Sequence, residues 1–353
     1  MASPIQQGTL SVSPFSSRDV RILKEKINLT IGPNFQTAEY HIQYIIEVKS
    51  DGKQIPLLFH AQDYANNFTV RIDGITTTLL PIPEKYKTLS QTPFEKFSSS
   101  FSKPYEYENT DRTIIYWEKK SGSIYTLKDL HYFEATLTKG IHTISVDYIA
   151  TPWIDGSNWV NEYHFRYSLS PAKYWKSFGS LEITLDTRSI HLPLTTNLGQ
   201  PSKGSLKTIA IWNFASLPAE YWFITYTPTP SKFAQLLIAI EPGALTLILT
   251  LIVFLLHILA IRFYRKHHPE KKFSWVMIAG SILIPFFILI MYEYFCDLID
   301  YVIGEHAAKN HGYRFVTLFL YPLILLVYWP ILWQIDKYLK QKMNKSENIN
   351  TSS

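Results

Sequence analysis

Residues 242–261 read PGALTLILTLIVFLLHILAI. The run contains no Asp, Glu, Lys or Arg. As a helix rising about 1.5 Å per residue it spans about 30 Å, the thickness of a bilayer's hydrocarbon layer. Two further runs follow, FSWVMIAGSILIPFFILIMY over 273–292 and FVTLFLYPLILLVYWPILW over 315–333, equally free of those charges. One such run could be the buried helix of a soluble protein; three in succession predict a membrane region over 231–341. Pro285, Pro322 and Pro330 bend these helices, and bundle neighbours can satisfy the carbonyls a proline frees. Trp275, Tyr292, Tyr313, Trp329 and Trp333 lie toward span ends, where amphipathic rings favour the headgroup zone.

Whole-chain averages conceal this division. The 353 residues are 46% hydrophobic, 15% aromatic and 18% charged, with a mean hydropathy of −0.02. The aromatic content and low net charge exclude a mostly disordered chain, and the lone Cys296 excludes a disulfide scaffold. Residues 1–240 carry 23 Lys+Arg against 21 Asp+Glu, and residues 241–353 carry 11 against 8, so the formal +5 is spread as +2 and +3. Neither part has the basic clustering of a nucleic-acid footprint, and no nucleic-acid partner is expected.

The charges around the spans sort by side. Arg262, Arg265, Lys266, Lys271 and Lys272 fill the first connection, and Lys337, Lys340, Lys342 and Lys345 follow the third span. The second connection holds Glu293, Asp297, Asp300 and Glu305 against Lys309 and Arg314. The positive-inside bias places loop 262–272 and the polar tail 342–353 in the cytoplasm. The amino-terminal part is then extracytoplasmic. The opening MASPIQQGTLSVSPFSSRDV lacks the basic and apolar regions of a signal peptide; either a precursor has lost its leader, or the true start lies upstream, or the domain stays inside, and the agreement of both basic segments favours a missing leader.

Upstream of the spans the period is two. Ala38, Tyr40, Ile42, Tyr44, Ile46 and Val48 alternate with wetter positions, the mark of a half-buried strand. Val20–Ile31 alternates in two registers, so a bulge is expected near Lys24–Lys26. Phe68, Val70 and Ile72 lead into Asp73-Gly74, a two-residue hairpin signal. Lys139-Gly140 predicts a second hairpin joining Phe133, Ala135 and Leu137 to Ile144, Val146 and Tyr148. Tyr163–Leu169, Leu181–Leu185, Lys207–Phe214 and Tyr221–Tyr226 complete the expected strands. The reading is an all-β sandwich over 20–230, either one large or two small, after a tail 1–19 and with a Pro-, Phe- and Tyr-rich insertion at 81–111.

Sandwich loops commonly carry recognition. TPWIDGSNWV (151–160) presents Trp153 and Trp159, and SPAKYWKSFG (171–179 with Ser170) presents Tyr174 and Trp175. These four rings are the expected ligand-binding residues, suited to stacking on sugars or anchoring a protein. No zincin, nucleophile-elbow or phosphate-loop pattern occurs. Asp155 and Glu162 form the one nearby pair of acids in these loops. Cys296, Asp297, Asp300, Glu305, His306 and His311 are of metal-binding type but lack compact ligand spacing. No catalytic residue, metal or cofactor is assigned. His257, inside the first span, is expected to bond a neighbour or snorkel.

The segments QIPLLFHAQDY (54–64), FTVRIDG (68–74), TKGIHTISVDYIA (138–150) and FRYSLSPAKYWKSFGSLEITLD (165–186) carry a resemblance. Its most specific part is Tyr167, Leu169, Pro171, Ala172, Trp175, Lys176, Phe178 and Gly179. The chain resembles uncharacterised bacterial envelope proteins with an extracytoplasmic β-sandwich tethered by carboxy-terminal helices. It departs from them in having three spans and no visible leader. The resemblance implies no activity and no catalytic residues. The expected function is a non-enzymatic binding or accessory module, multi-pass in the membrane, with the lipid bilayer and an envelope protein or glycan as partners. The alternatives are a glycan- or lipid-processing hydrolase on the outer membrane face, and a subunit of a transport complex.

Overall fold

The structure, a computed structural model, describes residues 2–4, 20–49, 51, 55–81, 112–118, 121–169, 177–309 and 314–350. In chain order the strands are β1 (Ala2–Pro4), β2 (Val20–Ile31), β3 (Ala38–Val48), β4 (Ile55–His60), β5 (Tyr64–Ile72) and β6 (Ile75–Thr77). Then come β7 (Arg112–Glu118), β8 (Ser121–Thr126), β9 (Leu130–Ala135), β10 (Gly140–Ala150), β11 (Trp153–Asp155) and β12 (Glu162–Ser168). The last are β13 (Phe178–Asp186), β14 (Leu194–Thr196), β15 (Lys203–Gly204), β16 (Ile209–Phe214) and β17 (Tyr221–Tyr226). Three helices follow: α1 (Lys232–His267), α2 (Trp275–Ile303) and α3 (Tyr321–Asn350). The chain is thus sheet-rich at its amino-terminal side and helical at its carboxy-terminal side. Its contacts divide it into two units, one holding the described residues through Ile154 with Glu162–Thr227, the other Asp155–Asn161 with Pro228 onward.

In the sheet-rich unit, eight strands run in the order β15-β16-β13-β2-β3-β10-β5-β6, four in the order β11-β12-β17-β14, and three in the order β1-β4-β9. The expected all-β sandwich is met only in its coarse outline, a sheet-rich unit. The large sheet is mixed, because β13 joins β2 in parallel register, Ile183 opposite Ile27 and Leu185 opposite Leu29. A parallel pair needs a long crossover between its strands, and pairing across such a distance leaves no mark on the local alternation. One apolar cluster gathers Ile42, Tyr44 and Val146 from the large sheet, Phe165 and Trp222 from the four-stranded one, and Phe59 and Phe133 from the three-stranded one. Burying each such side chain contributes about 1.5–3 kcal/mol.

The Asp73-Gly74 hairpin forms, with Ile72 opposite Ile75 and both turn residues at positive φ (50° and 82°). The register shift in β2 falls between Ile22 and Lys24. The Lys139-Gly140 hairpin does not form. β9 pairs with β4, while β10 pairs with β3 and β5, so residues 136–139 carry the chain from one sheet to another. The buried Leu137 holds that passage in the core. A Gly at positive φ is common to hairpins and to such crossings, and only the distant partners distinguish them. Of the expected insertion, all but residue 81 lies outside the described residues, as does the tail 1–19 apart from residues 2–4.

The three helices are long and apolar enough to cross a membrane. Leu251, Leu255, Phe263, Leu283 and Leu326 are exposed along them, a pattern that suits lipid as the solvent and associates the chain with a membrane. α2 runs past its apolar run to Ile303, as the stripe Phe295, Leu298, Ile299, Val302 and Ile303 indicates, and α3 runs past its own to Asn350. Polar side chains tie the helices together. Arg265 of α1 meets Asp336 of α3 through two bonds, Nε to Oδ1 at 2.7 Å and Nη2 to Oδ2 at 2.5 Å, and donates from Nη1 to the Lys271 carbonyl at 2.7 Å. His257 lies 3.1 Å from the Tyr328 hydroxyl and 3.0 Å from the Val276 carbonyl, so it bonds neighbours. Gly280 faces the His257 ring so closely that any Cβ would overlap it. A small residue permitting close approach is a common device between membrane helices.

Candidate functional site

Several polar side chains of the sheet-rich unit converge around the turn that follows β4. The turn after β4 places Asp63 in the left-handed region, at φ 59°. A non-glycine residue held there is strained and persists only where its surroundings enforce it. Three bonds do so: Ala61 N–H donates to the Asp129 carbonyl at 2.8 Å, Tyr64 N–H to the Ala61 carbonyl at 3.2 Å, and Thr151 N–H to the Asp63 carbonyl at 3.0 Å. The Asp63 carboxylate accepts both arms of the Arg166 fork, from Nε at 2.9 Å and from Nη2 at 2.7 Å. Bidentate pairs of this kind fix geometry as well as charge. Arg166 in turn lies under the Trp153 ring, its guanidinium carbon 4.3 Å from the ring centroid. Trp153 is 40% exposed. His164, two residues before Arg166 on β12, packs tilted against the same ring and meets the Thr225 hydroxyl at 2.8 Å.

Asp129 closes the other side of this turn. It ends a short 3-10 helix, Leu127–Asp129, and is buried. Its carboxyl accepts the backbone N–H groups of Asp63 and Tyr64. Burial, reinforced by the negative charge of Asp63, pushes its pKa up to about 6 against the pull of Lys128 and those two donors. Its Oδ1 is buried without a hydrogen-bond partner. Next in the chain, His131 stacks on Phe68 with centroids 3.8 Å apart, and burial lowers its pKa to about 4. His60, buried at the end of β4, is held well below the usual histidine range by burial, with Arg166 and His131 acting in the same direction.

A second polar cluster lies deeper in the core. Tyr167 donates to Glu25 Oε1 at 3.1 Å, and the hydroxyls of Tyr44 and Tyr167 are 2.8 Å apart. Glu25 is fully buried, which raises its pKa to about 7 although both tyrosines favour its charged form.

The four expected binding rings therefore part company. Trp153 joins the Asp63–Arg166–Asp129 cluster. Trp159 belongs to loop 155–161 of the helical unit and lines a cavity there. Tyr174 and Trp175 lie outside the described residues. The acids Asp155 and Glu162 have separate engagements: Asp155 accepts the Ser157 N–H at 2.9 Å, and Glu162 approaches His164 Nε2 at 3.9 Å. Among the described residues no group of three or more His, Cys, Asp or Glu side chains could hold a metal ion, and His311 lies outside them. Asp63, Asp129 and Arg166 escaped the sequence reading because no spacing joins them. The available hint was Arg166, a long cation set in an otherwise aromatic alternating strand.

No family model and no curated protein matches the chain. Solved structures do. Native leukotriene A4 hydrolase from Saccharomyces cerevisiae matches with a TM-score of 0.33 at 10% identity, over 62% of this chain and 32% of that one. The M1 zinc metallopeptidase from Deinococcus radiodurans matches with a TM-score of 0.28 at 9% identity, over 59% of this chain and 42% of that one. The chain thus spans less than half the length of either. The matching structures are a hydrolase and a peptidase, against the expected non-enzymatic binding or accessory module. Acids brought together from distant turns leave no motif in the sequence. Likeness at this level assigns no chemistry.

Proposed function

We propose that this protein is a membrane-bound hydrolase that cleaves a glycan at the membrane surface, with Asp129 as general acid and Asp63 as general base. One observation carries the reading: a buried carboxyl with an unpartnered oxygen, Asp129, stands beside a carboxylate fixed by an arginine fork, Asp63. Glycosidic hydrolysis needs two such groups in opposite protonation states. One donates a proton to the leaving oxygen, and the other takes a proton from the attacking water. Environments that push two acids apart mark such a division of roles. Burial and the neighbouring charge favour a protonated Asp129, while Asp63 is oriented by both arms of the Arg166 fork. Trp153, exposed and braced by Arg166, offers the flat apolar face on which sugar rings stack. Residues of three sheets sharing one apolar cluster support a sandwich-type frame beneath the site.

In this reading the sheet-rich unit faces the outer side of the membrane and the carboxy terminus the cytoplasm. The basic residues of loop 262–272 and of the tail support that orientation. A reporter fused to the carboxy terminus tests it, and reporter activity outside the membrane rules it out.

The hydrolase is tested on the full chain in detergent with a fluorophore-labelled oligosaccharide library. Wild type releases labelled fragments, and Asp129→Asn and Asp63→Asn each lower the rate by about 100- to 10,000-fold. Turnover falls as pH rises through about 6, because the acid then loses its proton. Absence of release from every member, or release undiminished in Asp129→Asn, overturns the assignment.

A further inference from the structure

The cavity beside Trp159 lies wholly within the helical unit. Residues 155–161 are anchored there through backbone bonds: Asn161 N–H donates to the His306 carbonyl at 2.8 Å, and Ala308 N–H donates to the Trp159 carbonyl at 3.1 Å. The Asn161 side-chain amide adds a bond to the Ala307 carbonyl at 3.2 Å. Between this loop, α1 and α2 is a cavity of about 530 Å³ whose walls include Ser157, Asn158, Trp159, Glu241, Tyr292 and Cys296. Among the described residues, no lysine or arginine lines it.

Glu241 owes its place to a break in α1. Its backbone lies at φ 65°, ψ 153°, outside helical space, and Pro242 follows it. Proline disfavours helical geometry in the residue before it and donates no hydrogen bond of its own. The break sits where the first apolar run begins, and Tyr292 sits where the second ends. Helices joined by a short connection run as antiparallel neighbours, so these two residues mark the same boundary of the membrane.

We propose that this cavity binds the headgroup of a membrane lipid that carries a primary ammonium. A carboxylate with no basic residue on the same wall, set among a tryptophan and a tyrosine, is the environment that attracts an ammonium. Its three N–H donors need acceptors, and Glu241, Asn158 and Ser157 among the lining residues carry them. An anionic headgroup meets only repulsion from Glu241. The volume falls in the range of small-molecule sites, and the exposed apolar flank of α1, such as Leu247 and Leu251, borders the space that the acyl chains take. The site involves neither Asp63 nor Asp129 and stands independently of the hydrolase reading.

The test is native mass spectrometry of the full chain, released from detergent after incubation with equal amounts of phosphatidylethanolamine, phosphatidylcholine and phosphatidylglycerol. Phosphatidylethanolamine is expected to be retained in preference. Glu241→Gln lowers its retention about tenfold, the loss of one charge-assisted bond, and leaves phosphatidylcholine unchanged. Glu241→Asp keeps the preference. Trp159→Ala, with helix content checked by circular dichroism, lowers it by a separate route and decides the matter if Glu241→Gln does not fold. Excess free ethanolamine leaves the lipid bound; displacement by it would make this a site for soluble amines and overturn the lipid assignment. Equal retention of the three lipids, or a preference undiminished in both Glu241→Gln and Trp159→Ala, overturns the proposal as a whole.

Discussion

The two units invert each other's surfaces. In the sheet-rich unit the buried positions are occupied by Ile27, Leu29, Ile42, Val146 and Leu185, and polar side chains fill the alternate places. In the helical unit Leu251, Leu255, Phe263 and Leu326 are exposed, while Arg265, Asp336, His257 and Ser281 are buried. Apolar area hidden from water stabilises the first. The second gains nothing of that kind from one leucine meeting another, because lipid chains are as apolar as leucine. Its helices are held by close approach at Gly280 and by the paired charges and hydrogen bonds between α1 and α3.

The largest test of this contrast removes one member of the buried ion pair. Asp336→Ala leaves Arg265 buried and unpaired, and is expected to cost the helical unit about 3–5 kcal/mol. Denaturation in mixed micelles measures it, and the double replacement Arg265→Leu/Asp336→Leu restores most of the loss. A single variant as stable as wild type would show that the pair does not hold the helices.

The buried acid of the sheet-rich unit gives a pH-dependent test of comparable size. Folded Glu25 has its pKa raised from 4.5 to about 7, so the folded state binds the proton more tightly than the unfolded chain. The resulting stabilisation is complete below about pH 4.5 and is lost as pH rises through about 7. The difference amounts to about 3 kcal/mol. Glu25→Gln flattens that dependence, and denaturant midpoints taken from pH 4.5 to 8 read it directly. An unchanged slope in the variant excludes Glu25 as its source.

The most direct comparison pairs a large effect with none. Leu29→Ala in the sheet core costs about 3 kcal/mol, through lost burial and the cavity left behind. Leu255→Ala, on the lipid-facing side of α1, leaves the unfolding midpoint of the helical unit unchanged within error. Equal losses at the two positions would mean that both units are packed by the same force.

The sequence discloses the parts of the molecule whose periodicity is local. The first apolar run lies within α1, the second lies in α2 from residue 275 and the third in α3 from residue 321, and the alternation of Ala38–Val48 lies along β3. Asp73-Gly74 is legible because its turn chemistry sits in two adjacent residues. Lys139-Gly140 misleads because the same chemistry serves a crossing between sheets. The parallel partner of β2 is invisible, since its residues alternate like those of any other strand. The candidate site is less legible still. Trp153 stands out as an aromatic in a loop, but Asp63, Asp129 and Arg166 meet only through tertiary structure, and each alone is an ordinary surface charge.

The parallel pairing of β2 with β13 also bears on the order of events during synthesis. Lys24 bonds Glu182 across that seam, 158 residues later in the chain. At about 5–20 residues per second, β2 waits roughly 10–30 s for its partner. Throughout that interval one long edge of the nascent sheet stands open to any passing strand. Lysines such as Lys24 and Lys26, set along the open edge, are the kind of guard that discourages such pairing. The edge closes only when β13 has been made, shortly before the first apolar run leaves the ribosome. Completion of the large sheet and insertion of the first helix therefore fall close together in time.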